Sequence, residues 1–178
     1  LVYDDAPGPA WDLGIFGAER TNGFAGTSDG TAGPVVRWTE VAASDPARGQ
    51  VIQATMGGVP DQFGVLAIQA SGGVDLGAYA GGSVVFDILV TDYDTNTGGM
   101  VMKIDCVFPC TSGDKPLGVV GDGVWQTISV EITELVAGLP GGTGLNLQTV
   151  NTGLVVFPHI PDQQAGATVT FQIDNVRW

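Results

Sequence analysis

The amino-acid sequence predicts an all-β fold, an antiparallel β-sandwich of the jelly-roll type. Short runs of alternating apolar and polar residues recur along the whole chain, and clusters that contain glycine separate them. The 178 residues include 28 glycines, which suits a fold with many tight turns and few helices. A chain of this length with 44% hydrophobic residues can bury one sizeable core, so we expect residues 1–178 to form a single domain.

Eight segments have the alternation and the β-branched or aromatic content of strands. They are residues 35–41, 51–56, 63–69, 84–90, 100–106, 125–132, 154–157 and 169–173. Turn clusters such as Ser71-Gly-Gly and Gly121-Asp-Gly lie between them. Residues 132–137 could make one helical turn, which the following Gly-Leu-Pro-Gly-Gly sequence would end. Many short strands at this spacing are typical of a sandwich or jelly roll.

Alternation also assigns the faces of the strands, because successive side chains point to opposite sides of a sheet. In the fifth predicted strand, Met100, Met102 and Ile104 share the apolar side. Lys103 and Asp105 lie on the opposite side of the same strand.

The same rule places three further polar side chains away from the core: Gln69, Asp87 and Asp174. One sheet is therefore expected to carry polar and flat side chains together on its outer face, which is what a sugar-binding sheet needs.

The two cysteines lie four positions apart, in Cys106-Val-Phe-Pro-Cys110. A zinc site would need more ligands, and the chain has a single histidine to help. A disulfide across so short a gap is geometrically allowed where the backbone turns, and Pro109 favours a turn. We therefore predict a disulfide, which indicates a secreted, periplasmic or cell-surface protein. The alternative is a pair of buried free thiols in a cytosolic protein.

The charge is strongly acidic, with 19 Asp and Glu against 6 Lys and Arg and a net charge of −13. Such a chain repels phosphate backbones, so we expect neither nucleic acid nor a membrane as a partner. The acidity serves solubility, or some of the carboxylates bind a cation. It also disfavours strongly anionic polysaccharides, unless a local patch around Lys103 or Arg37 overrides the field.

Three stretches resemble a known family of domains: Asp105-Cys-Val-Phe-Pro-Cys, Trp125-Gln-Thr-Ile-Ser-Val and Ile173-Asp-Asn-Val. They are similar to the galactose-binding-like β-sandwich at the C-terminus of family 3 exo-β-glucanases from marine bacteria. Related carbohydrate-binding modules are attached to other polysaccharide-degrading enzymes. The resemblance covers roughly the C-terminal half of the chain. It implies an accessory sugar-binding role beside the catalytic domain of a parent enzyme.

Modules of this wider group often hold a structural Ca²⁺ partly through an Asp of the closing strand. Asp5, Glu40 and Asp174 are the candidate ligands here. Asp5 lies near the start of the chain and Asp174 near its end, so oxygen ligands from both ends would tie the sandwich together. The alternative is that these are surface carboxylates paired with Arg20 or Arg177.

The candidate carbohydrate-binding side chains are aromatic groups and hydrogen-bonding groups: Trp11, Trp38, Gln69, Lys103, Asp105, Phe157 and His159. Trp38 would be the stacking platform for a pyranose ring if its side of the strand faces outward; otherwise it belongs to the core. Trp11 lies in a Pro/Gly loop and is either a platform or a staple. His159 lies at a strand end, where it either contacts ligand or has only a structural role.

Catalysis has weak support. Glycoside hydrolysis needs two facing carboxylates, and Glu131 is more simply read as the outer face of a strand. The sequence therefore predicts a non-catalytic carbohydrate-binding module with a β-glucan or marine galactan as ligand. One alternative is a structural domain that packs on a catalytic partner and has no sugar site of its own. The other is a small polysaccharide lyase or glycanase.

Overall fold

The computed structural model describes residues 1–24, 30 and 33–178. In chain order the strands are β1 (Tyr3–Asp4), β2 (Ala6–Pro7), β3 (Gly14–Glu19), β4 (Val36–Ala42), β5 (Gln50–Gly57), β6 (Gly64–Val74), β7 (Ser83–Asp92), β8 (Met100–Cys106), β9 (Lys115–Leu117), β10 (Gln126–Glu131), β11 (Val150–Pro158) and β12 (Thr168–Arg177). Two short helices accompany them, α1 (Ile132–Ala137) and α2 (Ile160–Gln164).

The strands form two antiparallel sheets. The larger sheet has the order β4-β5-β12-β7-β10, and the short strands β1 and β2 extend it beside the end of β12. The smaller sheet has the order β3-β6-β11-β8-β9. Because consecutive strands repeatedly cross from one sheet to the other, the result is a sandwich of jelly-roll type. The predicted fold class is confirmed.

The core fills the space between the two sheets. On β8 the side chains of Met100, Met102 and Ile104 are fully buried, whereas Lys103 and Asp105 lie on the opposite side and are half-buried. Alternation therefore identified the inner face of this strand correctly. The helical turn predicted at residues 132–137 is α1.

Strand β3 was absent from the predicted set. Its sequence Gly-Ile-Phe-Gly-Ala-Glu contains two glycines, which weaken the β signal. The strand nevertheless pairs with β6 along its whole length, from Gly14 opposite Gln69 to Glu19 opposite Gly64. Tertiary pairing thus outweighs the low local propensity.

Trp11 belongs to the core and is not an exposed platform. Its side chain is 3% exposed and packs over Gly153 of β11. The chain ends meet nearby, since Tyr3 of β1 pairs with Val176 of β12. Trp11 therefore has a structural role and holds its loop against the core, which is the alternative that the sequence left open.

The predicted disulfide joins Cys106 and Cys110, whose Cα atoms are 5.0 Å apart. It closes a short loop that follows β8. Within the described ranges, neither helix is long and apolar enough to span a membrane.

Candidate functional site

A groove runs along the outer face of the smaller sheet. Strand pairing places side chains that are distant in sequence next to one another, because Thr152 of β11 pairs with both Gln69 of β6 and Asp105 of β8. In the next part of the sheet, Val155 lies opposite Lys103. The outer face of three neighbouring strands thus forms one continuous surface, which we call the outer groove.

One half of the outer groove is apolar and has a volume of about 400 Å³. Its apolar lining comes mainly from Phe16, Phe24, Phe63, Val65, Phe157 and Ile160. Phe24 and Phe63 form a tilted aromatic pair with ring centroids 5.4 Å apart. Flat apolar side chains of this kind provide the surface on which the CH face of a sugar ring can pack.

The other half is polar and has a volume of about 350 Å³. It is lined by hydrogen-bonding side chains and by the disulfide loop, including Gln69, Lys103, Asp105, Asn151, Thr152 and Phe108. Gln69 and Lys103 line both halves, so the two form one site.

The charges in the outer groove nearly balance. The Lys103 ammonium is 2.9 Å from Oδ2 of Asp105. Asp114 is an exposed residue, but partial desolvation beside the groove raises the pKa of its carboxyl above the usual range; the Lys103 charge opposes this and the Asp105 charge adds to it. With one cation between two carboxylates, the groove has no excess positive charge. Lys103 therefore does not create the anion-binding patch that the sequence left open.

Asp105 also has an unsatisfied atom. Its Oδ1 is buried and has no hydrogen-bond partner among the described residues, although the side chain as a whole is 28% exposed. A buried carboxylate oxygen without a partner is costly, so this atom needs a donor that the described side chains do not provide.

Three of the predicted sugar-binding residues meet in the outer groove with accessible side chains, Gln69, Lys103 and Asp105; Phe157 also lines the groove but is only 2% exposed and offers little surface for stacking. Trp38 does not join them, because it lies in the larger sheet, on the same side of β4 as the fully buried Val36. The Trp38 side chain packs against the core, which is the alternative that the sequence left open for this residue.

His159 also lies outside the residues that line the groove. Its Nδ1 is 3.0 Å from Oδ2 of Asp162, and its backbone N–H donates to the carbonyl of Gly99. The imidazole thus contacts the Asp162 carboxylate in the first turn of α2, which fits the structural alternative for this residue.

Apart from Phe157, the sequence did not predict the phenylalanine side chains that line the apolar half of the groove. Phe16 lies on the unpredicted strand β3, and Phe24 and Phe63 lie at or beyond strand ends. A Phe in an alternating run such as Gly-Ile-Phe-Gly was the available signal for Phe16. Phe108 was visible as the apolar residue within the cysteine loop, and it is 91% exposed.

The three predicted Ca²⁺ ligands each bind a different protein donor. Oδ1 of Asp5 accepts a hydrogen bond of 2.6 Å from the N–H of Gln50, and Oε1 of Glu40 accepts one of 3.1 Å from the Tyr3 hydroxyl. Burial, then the charge of Glu40, raises the pKa of Tyr3. Across residues 1–24, 30 and 33–178, no three acidic, His or Cys side chains are grouped so that they could hold a metal ion. Besides burial, the charges of Glu40, Asp174 and Asp5 all contribute to the raised pKa of Tyr3, and calcium binding by these residues stays a prediction.

Asp174 is buried beside Asp87 on the outer face of the larger sheet, and both bind Arg48. Nη1 of Arg48 is 2.8 Å from Oδ2 of Asp87 and 3.2 Å from Oδ2 of Asp174. Arg48 comes from the turn between β4 and β5, which folds over the sheet. Pairing with Arg20 or Arg177 was therefore wrong, because the partner lies in a connection whose path alternation cannot predict.

The two carboxylates respond differently to this environment. Burial raises the pKa of Asp174 above its usual range, despite hydrogen bonds from the Asn175 N–H and Arg48. Burial also disfavours ionised Asp87, but hydrogen bonds from Thr127, Arg48 and Asn175 outweigh it and lower the pKa of that carboxyl. Two differences act in the same direction: the Asp174 side chain is 1% exposed and that of Asp87 is 11%, and Arg48 lies 2.8 Å from Asp87 but 3.2 Å from Asp174.

No family model matches the chain, and no curated protein matches it. Several solved structures are similar to the chain. The extra C-terminal domain of an exo-1,3/1,4-β-glucanase from a Pseudoalteromonas species is similar with a TM-score of 0.60 and 10% identity, over 99% of this chain and 89% of that domain. The complete glucanase is similar with a TM-score of 0.61 and 10% identity over 98% of this chain, which spans 19% of the enzyme's length.

A family 11 carbohydrate-binding module from Clostridium thermocellum is also similar. Its structure in complex with a β-1,3-1,4-mixed-linked tetrasaccharide has a TM-score of 0.51 and 13% identity, over 90% of this chain and 94% of the module. The chain therefore has the β-sandwich fold of these carbohydrate-binding modules. The sequence resemblance is confirmed for the fold.

Proposed function

We propose that this domain is a non-catalytic carbohydrate-binding module that binds a neutral glycan in the outer groove. The observation that carries the proposal is the composition of that groove. A Phe-rich half and a half lined by Gln69, Lys103 and Asp105 share one surface. A sugar presents an apolar CH face and hydroxyl edges, and a site for it needs both kinds of side chain.

The charge of the groove favours a neutral ligand. Asp105 neutralises Lys103, Asp114 adds a further carboxylate, and the whole chain has a net charge of −13. A sulfated or uronic-acid glycan would therefore be repelled at short and at long range.

Within neutral glycans, β-glucans and unsulfated marine galactans are the proposed ligands. The similar Pseudoalteromonas domain belongs to an exo-1,3/1,4-β-glucanase, and the similar Clostridium module was solved with a mixed-linked β-1,3-1,4 tetrasaccharide. The galactan proposal rests on the sequence resemblance to modules of marine polysaccharide-degrading enzymes.

The position of the candidate catalytic groups supports a non-catalytic role. Glu131 ends β10 in the larger sheet and accepts a hydrogen bond of 2.9 Å from Ser83. His159 follows β11 in the smaller sheet and binds Asp162. The two side chains therefore belong to different sheets and do not face one another across the outer groove.

The proposed setting is an extracellular or periplasmic enzyme. The Cys106–Cys110 disulfide supports an oxidising compartment. The similarity to the extra C-terminal domain of a glucanase supports attachment to a catalytic domain. The module would then hold that catalytic domain close to its polysaccharide, which raises the effective substrate concentration.

Affinity gel electrophoresis tests the function. We expect gels that contain mixed-linkage β-1,3-1,4-glucan or agarose to retard the domain, and gels that contain sulfated carrageenan to leave its mobility unchanged. Release of reducing ends by the isolated domain would show catalysis instead. Unchanged mobility with every glycan would contradict the proposal and favour a purely structural domain.

A further inference from the structure

Phe108 is the most exposed large apolar side chain among the described residues, at 91%. It lies in the disulfide loop and lines the polar half of the outer groove, on the same surface as Lys103 and Asp105. Single exposed apolar residues are common on protein surfaces and carry no meaning alone. Phe108 differs in two respects. It lies at the edge of a groove, and its loop is held by several contacts.

The loop that carries Phe108 is held at several points. Cys106 and Cys110 are joined by the disulfide, and the Cys106 N–H donates a hydrogen bond of 3.1 Å to the Cys110 carbonyl. The Val107 N–H donates a bond of 2.9 Å to the carbonyl of Thr149 in the segment before β11. The Asn146 N–H lies 3.2 Å from Sγ of Cys110. These contacts fix the loop while leaving the Phe108 ring in solvent.

The opposite end of the outer groove also carries exposed aromatic surface. Phe24 is 45% exposed and pairs with Phe63 in the apolar half. Gln69 and Lys103 line both halves and therefore lie between the two aromatic positions. The outer groove therefore has aromatic side chains near both ends and polar side chains between them.

We propose that Phe108 is a second stacking position for the glycan and that the disulfide holds it in place before the ligand arrives. This inference rests on the proposed function and adds a specific residue and a dependence on ligand length. A ring carried on a backbone that is already held in place loses less conformational entropy on binding than one on a mobile loop, so more of its contact energy appears as affinity. A glycan long enough to reach from the Phe24–Phe63 pair to Phe108 would use both positions, whereas a short one would use only one.

Isothermal titration calorimetry on the complete domain tests the role of Phe108. The ligands are mixed-linkage β-1,3-1,4-glucan and its disaccharide and tetrasaccharide fragments, or the corresponding agarose fragments if agarose alone retards the domain. We expect Phe108→Ala to raise the Kd for the polymer about tenfold, as for other aromatic contacts that carry binding energy, and Phe108→Trp to preserve binding. The effect of Phe108→Ala should be smaller for the disaccharide than for the polymer.

Val107→Ala is the matched control, since Val107 is 50% exposed on the same loop but does not line the groove. It should leave the Kd unchanged. Because Phe108 is exposed, its variants should keep the wild-type melting temperature, which a thermal scan checks.

The disulfide is tested by the double replacement Cys106→Ser and Cys110→Ser. We expect it to weaken polymer binding by the wild-type domain and to have little further effect in the Phe108→Ala background, as for two changes that act through one contact. A polymer Kd that Phe108→Ala leaves at the wild-type value would overturn the inference. Failure of the wild-type domain to bind any glycan would instead remove the proposed function itself.

Discussion

Arg48 stacks on Trp125 on the outer face of the larger sheet, with its guanidinium carbon 4.3 Å from the centroid of the indole ring. The same guanidinium binds Asp87 and Asp174. A turn residue thus covers two carboxylates that are directly opposite one another on neighbouring strands. The contact with Trp125 adds a cation–π interaction and keeps the charge over the pair.

Replacement of Arg48 by Ala is expected to destabilise the domain strongly. It leaves Asp87 and Asp174 near one another without a counter-charge, and removal of one partner from a buried ionic group costs about 3–5 kcal/mol. Urea unfolding followed by Trp fluorescence measures the change. Arg177→Ala serves as the control, because Arg177 is exposed and, among the described residues, its guanidinium bonds only to the carbonyl of Asn175. Equal losses in the two variants would contradict this account.

Lys103→Ala is expected to raise the pKa of Asp114 further. Desolvation already raises that pKa, and the Lys103 charge is the opposing influence, so its removal favours the protonated acid. A folded-state pKa above the unfolded value means that the folded state binds the proton more tightly. Asp114 therefore contributes less to stability as pH rises from the unfolded pKa through the folded one. Carboxyl ¹³C titration by NMR measures the shift.

Lys115 provides a matched control for that titration. It is a neighbouring lysine whose ammonium pairs with Glu134. Lys115→Ala should leave the Asp114 titration in place, and an equal shift in both variants would show that Lys103 has no specific role.

Gln69→Ala is expected to weaken binding of a neutral glycan. Gln69 lines both halves of the outer groove, and loss of one hydrogen bond at about 1 kcal/mol corresponds to a Kd about fivefold higher. The control is Gln53→Ala, because Gln53 is a half-buried glutamine of the larger sheet that accepts a hydrogen bond from Gln172. Titration calorimetry should separate the two, and a similar loss for Gln53→Ala would move the site to the other sheet.

Gly153→Ala is expected to destabilise the core without touching the groove. A Cβ at this position would lie 2.9 Å from the ring of Trp11 and 2.7 Å from the side chain of Val2. Such overpacking costs about 1–3 kcal/mol. Gly72→Ala is the control, since a Cβ there would meet nothing within 4 Å. Thermal melting of the two variants compares them directly, and an unchanged melting temperature for Gly153→Ala would show that Trp11 can move aside.

Alternation along the chain predicted which side of β8 faces the core, because a strand turns every second side chain to the same side. That rule was sufficient to place Lys103 and Asp105 outward. It could not show which strands are neighbours, so the meeting of Asp105 with Gln69 through Thr152 appears only in the folded sheet. Strand order is set by non-local pairing, which leaves little trace in local sequence.

The aromatic residues were the hardest to assign from the sequence. A Trp in a strand or loop serves equally well in a core or on a platform, and both Trp11 and Trp38 pack inward in the structure. The exposed rings at the groove are phenylalanines, in particular Phe108. Burial depends on what packs over a side chain, and that covering comes from segments distant in sequence.

The amino-acid sequence by itself determined the all-β fold, the disulfide and the outward side of β8, on which Lys103 and Asp105 lie. Local chemistry is sufficient for these features, because alternation, cysteine spacing and turn residues act over a few positions. Only the tertiary structure decided that Arg48 covers Asp174, whose position is 126 residues away. It also decided that Phe24 and Phe108 lie at opposite ends of one groove, since long-range strand pairing brings those ends to the same face.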